Sequence, residues 1–147
     1  SAHDCSEGGL AVALAECCFN PKQRFGANVD LENCSGGRGG PDAGGTPAST
    51  EEILFNESQS RIVISVAAEN LDKTMSILSA IRTGSSGGER ERGLPFRQLG
   101  KVGGEELRIQ IGDQKFAWPI ADLYDDWWNS IRRLVESDSS AERIPSL

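Results

Sequence analysis

The chain has 147 residues, the size of one ordinary domain, and its 37% hydrophobic content is enough for one modest core without metal or disulfide staples. A net charge of −7 excludes a phosphate-tracking surface, so nucleic acid is not an expected partner: such binding draws most of its affinity from clustered Lys and Arg. The sequence opens on no basic-then-apolar leader and holds no apolar run near the ~18 to 20 residues that cross a bilayer, so no membrane partner and a cytoplasmic location are expected.

Ser1-Ala2-His3-Asp4 carries no initiator Met and leads at once into an amphipathic segment, which reads as a cut made inside a longer chain. Residues 6–19 read as a helix in which Leu10, Leu14 and Cys17 recur at helical spacing, Ser6 stands as N-cap, and Gly8 and Gly9 fall in the first turn. Cys17 and Cys18 point about 100° apart on such a helix, so one is a small buried hydrophobe and the other a partly exposed thiol. No spacing among Cys5, Cys17, Cys18 and Cys34 gives the paired CxxC arrangement of a structural zinc site, so no metal site is expected and reduced cytoplasmic thiols fit best. Residues 27–31 alternate Ala27, Val29 and Leu31 and read as a strand.

Residues 34–50 shift to Gly, Pro, Ser and Thr, a long flexible loop that lacks the GxxxxGK(S/T) order of a phosphate cradle. Residues 61–66, RIVISV, are β-branched and short, and read as a central strand covered on both faces. Leu71, Met75, Leu78 and Ile81 mark an amphipathic helix, and residues 83–93 a second exposed loop. Residues 96–102 are a plausible strand, and 107–111 and 115–118 pair as a hairpin around Gly112-Asp113-Gln114. A last helix opens at or near Asp122, with Leu123, Trp127, Ile131 and Leu134 as its buried face and Trp128 at the edge of that face; residues 137–147 read as a polar tail. This order predicts an α+β domain over residues 1–136, a mixed β-sheet packed by helices.

Two polar stretches carry the candidate chemistry. His3-Asp4-Cys5-Ser6-Glu7-Gly8-Gly9-Leu10 sets the chain's one histidine, an acid and a glycine pair at a helix N-terminus, where free N–H groups and the positive dipole end can receive an anion. The same residues also read as a helix cap from Asp4 or Ser6, with glycines permitting close packing. Leu54-Phe55-Asn56-Glu57-Ser58-Gln59-Ser60-Arg61 offers a carboxylate, a hydroxyl and an amide, suited to sugar hydroxyls or an amide-bearing substrate, and equally to a turn entering a strand. Asp125 and Asp126 diverge on a helix and read as a solvated face; Trp118, Trp127 and Trp128 read as core or interface anchors.

At these two stretches the sequence resembles a known family. Residues 3–16, HDCSEGGLAVALAE, are similar to the HDxSxGGLAVALAE signature that opens the last domain of the phosphoribosylformylglycinamidine synthase large subunit, and residues 54–61, LFNESQSR, to its LFxESQSR segment, with Asn56 where Gly is more usual. The resemblance implies a domain of the aminoimidazole ribonucleotide synthetase C-terminal type, inactive when isolated, within an ATP- and Mg²⁺-dependent ligase. That enzyme converts formylglycinamide ribonucleotide to the amidine with ammonia from a glutaminase subunit or domain. The implied partners are the N-terminal domains of the same chain and that glutaminase. The resemblance places the catalytic His, the metal-binding acids and most ATP ligands in other domains. It makes Glu57, Ser58 and Gln59 candidate contacts of an auxiliary nucleotide site, with His3, Asp4, Gly8 and Gly9 as further candidates. The alternative is a free-standing nucleotide-binding or regulatory module of the same superfamily.

Overall fold

The structure, a computed structural model, describes residues 1–20, 22–32, 49–57, 60–83 and 92–141. In chain order its elements are β1 (Ala2–Asp4), α1 (Gly9–Cys17), β2 (Ala27–Asp30), α2 (Thr50–Phe55), β3 (Ile62–Ile64), a 3-10 turn (Ala68–Asn70), α3 (Leu71–Ala80), β4 (Arg82–Thr83), β5 (Arg92–Gly93), β6 (Gly100–Val102), β7 (Glu106–Ile111), β8 (Gln114–Pro119) and α4 (Ile120–Ala141). This is an α+β arrangement with one mixed sheet and two small antiparallel pairs.

The main sheet runs β6-β2-β7-β8. β2 lies parallel to β7, with Val29 opposite Ile109, and the other neighbours are antiparallel. Period-two alternation explains its two faces: Ala27, Val29, Leu107 and Ile109 are buried, while Asn28, Arg108 and Gln110 are exposed. On α1 the buried side chains are those of Leu10, Ala13 and Leu14, continued by Cys18, steps of three and four that draw one stripe, with Gly9 buried at the helix start. These join Cys5, Leu31, Ile53, Leu54 and Ile120 in one contiguous core. Leu107 and Ile109 are 2% and 1% exposed, and burying each side chain contributes about 1.5–3 kcal/mol.

Several sequence expectations are corrected. The helix expected over 6–19 is shorter, and its N-cap is Gly8 in the left-handed region (φ 75°), not Ser6. Of the cysteine pair it is Cys18 that is buried and Cys17 that is half-buried, because Cys18 follows Leu14 by four residues and continues the stripe. The RIVISV run is not a central strand: among the described residues β3 pairs only with β1, and Ile62 and Ile64 are 67% and 45% exposed. β-branching favours the extended backbone but does not choose its neighbours. The strand expected over 96–102 is confined to Gly100–Val102, whereas the hairpin forms as expected; the helix after residue 71 forms but ends at Ala80, which leaves Ile81, expected on its apolar stripe, extended at its C-cap and exposed.

The last helix begins at Ile120 and runs to Ala141, into the segment read as a tail. Its expected buried face is mostly uncovered. Ile120 is buried and Leu123 half-buried, but Trp127, Ile131 and Leu134 are exposed, because beyond its first turns the helix leaves the sheet. Among the described residues no helix is long and apolar enough to cross a membrane. Most of the 34–50 loop and of the 83–93 loop lies outside the described residues, as does Cys34.

Candidate functional site

The two motif stretches meet. α1 begins where the chain turns through Gly8 and Gly9, both at positive φ (75° and 70°). A Cβ on Gly9 would stand 2.6 Å from the Phe55 carbonyl carbon, so the start of α1 abuts the end of α2, the positive pole of one helix against the negative pole of the other. The chain leaves α2 at Asn56 in an extended conformation, and the next side chain reaches back: Glu57 Oε1 accepts a hydrogen bond from the Gly8 N–H at 2.8 Å. This bond joins residues 49 apart in sequence.

α2 itself is held by a capping box, in which the Ser49 hydroxyl accepts from the Glu52 N–H and the Glu52 carboxylate accepts from the Ser49 N–H. Later in the same motif, Ser60 sits at φ 65° although it is not glycine, and Arg61 Nη1 donates to the Asn56 carbonyl at 3.3 Å. The Arg61 carbonyl accepts from the Cys5 N–H at 3.1 Å, which carries the second motif into register with the first before β1 and β3 pair. Arg61 and Ser60 are thus positioning residues that sequence reasoning missed as such; the readable signal was that Arg61 closes the motif at the strand entrance.

His3 lies in β1 opposite Val63, and its Nδ1 is 3.9 Å from Glu16 Oε2, so its charged neighbour lies on α1 near the C-terminal end rather than at the helix start. Asp4 ends β1 and is exposed. Cys5 is buried; desolvation raises its thiol pKa, Arg61 opposes that rise and Asp4 adds to it, which leaves a neutral core thiol. Ser58 and Gln59 lie outside the described residues. Among the described residues, then, Gly8, Gly9 and Glu57 are brought together, and His3 and Asp4 enter through the neighbouring strand.

A carboxylate at the start of α1 changes what that terminus can receive. Glu57 already supplies the negative charge that the helix dipole and the Gly8 N–H favour, so an added phosphate would meet like charge, while a hydroxyl or amide N–H could donate to the same carboxylate. No group of three or more His, Cys, Asp or Glu side chains gathers among the described residues. Two surface hollows lie along the main sheet. One is lined by Asn28, Gly103, Gly104, Glu105, Glu106 and Arg108, and there Arg108 is held by Glu106 at 2.7 Å.

A mixed sheet backed by helices, with a glycine-turned helix start tied to Glu57, defines a domain class, and the chain belongs to it: the family described as AIR synthase related protein, C-terminal domain, matches residues 1–111. Full-length relatives extend the likeness past that point. The phosphoribosylformylglycinamidine synthase subunit PurL of Anaeromyxobacter sp. (strain Fw109-5) is 33% identical over 143 residues, covering 94% of this chain and 16% of that protein. The protein of the same name from Alkaliphilus metalliredigens is 33% identical over 138 residues, covering 93% and 15%. That of Moorella thermoacetica is 32% identical over 136 residues, covering 92% and 15%. The chain therefore spans about a sixth of the length of the curated relatives it matches.

Proposed function

We propose that the chain acts as the C-terminal AIR synthase-type domain of a phosphoribosylformylglycinamidine synthase, an ATP-dependent C–N ligase of purine biosynthesis, and is catalytically silent by itself. The observation that carries the reading is the Gly8–Glu57 hydrogen bond, which ties together the two segments on which the family resemblance rests. In the whole enzyme the amide oxygen of formylglycinamide ribonucleotide is phosphorylated by ATP with Mg²⁺ and displaced by ammonia from a glutaminase partner. The described residues gather no metal-binding acids and hold a carboxylate where a phosphate would dock, so neither Mg²⁺ nor the phosphoryl step is assigned to them.

The role of this chain is to border a nucleotide site completed by the N-terminal domains of the longer protein, in the reducing cytoplasm. Glu57, Ser58 and Gln59 contact the sugar or amide part of the ligand. Gly8 and Gly9 let the backbone approach, and His3 and Asp4 form the adjoining wall. The free-standing regulatory module finds no observation in its favour.

Calorimetric titration with ADP and Mg²⁺, of this chain and of the longer protein that contains it, tests the site. The expected result is no binding by the chain alone and binding by the longer protein that weakens about tenfold or more in Glu57→Ala and Gln59→Ala, as loss of a charged and a neutral hydrogen-bonding group would give. Unchanged affinity in both variants would remove the assignment.

A further inference from the structure

A closed circuit of three hydrogen bonds runs through the two motif stretches, and Arg61 takes part in two of them. Its carbonyl accepts from the Cys5 N–H at 3.1 Å, and its Nη1 donates to the Asn56 carbonyl at 3.3 Å. The third bond runs from the Gly8 N–H to Glu57 Oε1 at 2.8 Å. From Gly8 the circuit passes back along the chain to Cys5, across to Arg61, through the guanidinium to Asn56, and by way of Glu57 to Gly8 again.

The guanidinium meets the Asn56 carbonyl at the point where the chain leaves α2 in an extended conformation (φ −71°, ψ 125°). A cation that donates to a carbonyl at the C-terminal end of a helix is favoured by the dipole as well as by the bond. Arg61 is itself half-buried and fixed from both sides of its backbone. Ser60 before it stands at φ 65°, which a residue other than glycine adopts only where its surroundings impose it. After it, β3 pairs with β1. Glu57, by contrast, is exposed, and a free glutamate side chain has much rotamer entropy to lose, so the place of its carboxylate depends on where its backbone is held.

We propose that Arg61 is the positioning residue for Glu57: by holding the Asn56 carbonyl it sets the direction in which the Glu57 carboxylate leaves the chain, and it touches no ligand itself. Resting on the reading of Glu57 as a ligand contact, this gives Arg61 a share of the affinity of the site through preorganisation alone. Hydrogen exchange followed residue by residue by NMR in the 147-residue chain, without nucleotide, tests the clamp. In Arg61→Ala the Gly8 N–H is expected to exchange about tenfold or more faster, while the amides of Leu14 and Ile109 in the core keep their wild-type rates. Arg61→Lys, which keeps a cationic donor, should recover part of the protection at Gly8. Unchanged exchange at Gly8 overturns the proposal, and so does an equal rise at Leu14 and Ile109, which would mark a general loss of stability. Titration of the longer protein with ADP and Mg²⁺ supplies the second arm. Arg61→Ala should bind about tenfold more weakly, but Arg61→Ala/Glu57→Ala no more weakly than Glu57→Ala, because both changes remove one and the same contact. Losses that add would make Arg61 a ligand contact in its own right and overturn its positioning role. Wild-type affinity in Glu57→Ala would remove the ligand reading and not the clamp, which the exchange at Gly8 decides by itself.

Discussion

Adjacent cysteines at the end of α1 separate into two environments because the helix turns between them. Cys18 is 4% exposed, its Sγ–H donating to the Leu14 carbonyl at 3.3 Å, and burial, with Cys17 adding to it, pushes its thiol from the ordinary 9.0 to about 11. The unfolded chain therefore loses this proton first as pH rises. The contribution to stability is whole below about pH 9 and is lost on the way up through about pH 11, an expected fall on the order of 2 kcal/mol. Urea unfolding at a series of pH values should show that fall in the wild type. Cys18→Ala, about 1–2 kcal/mol less stable near neutral pH, should show a shallower one, the part due to Cys5 and Cys17 remaining. An equal alkaline slope in both proteins would mean that Cys18 is not the group responsible. That one cysteine would be buried was legible in the sequence; which one was settled by the continuation of Leu10 and Leu14 to Cys18.

Elements meet at the candidate site by close backbone approach as well as through the Glu57 side chain. Gly9→Ala places a methyl 2.6 Å from the Phe55 carbonyl carbon at φ 70°, so steric overlap and backbone strain add, and an expected cost of about 2–4 kcal/mol follows. Ser49→Ala removes one half of the capping box of α2 and should cost about 1 kcal/mol. Comparing the two by denaturant unfolding checks the close approach: a Gly9→Ala cost no larger than that of Ser49→Ala would mean the two helices can separate freely. α2 went unread although Ser49 and Glu52 spell a capping box, because six residues after a Gly- and Pro-rich stretch hold too few turns for a period to appear. β1 went unread for a similar reason: three residues, Ala2–Asp4, show no alternation until β3 pairs with them.

In the whole molecule stability is concentrated where the inner face of the main sheet meets α1 and α2. Ile109→Ala, in the strand between β2 and β8, should cost about 2–5 kcal/mol, while Ile62→Thr on the exposed face of β3 should stay within about 0.5 kcal/mol. Thermal melts of the two variants distinguish this from a core spread evenly over both β-branched strands. The sequence by itself determined the α+β class, the hairpin, the helix that starts at Leu71, the existence of a last helix near Asp122, and the two motif stretches that carry the candidate site. Each of these depends on local spacing, which a strand or helix imposes on its own residues. Only the tertiary structure decided that Glu57 would reach Gly8, that β3 would stand outside the main sheet, and that the apolar stripe of α4 would be left uncovered. Those are questions of which surfaces come within a few ångströms of each other. A period of two or of 3.6 names the face an element will bury, but not the neighbour it will bury it against.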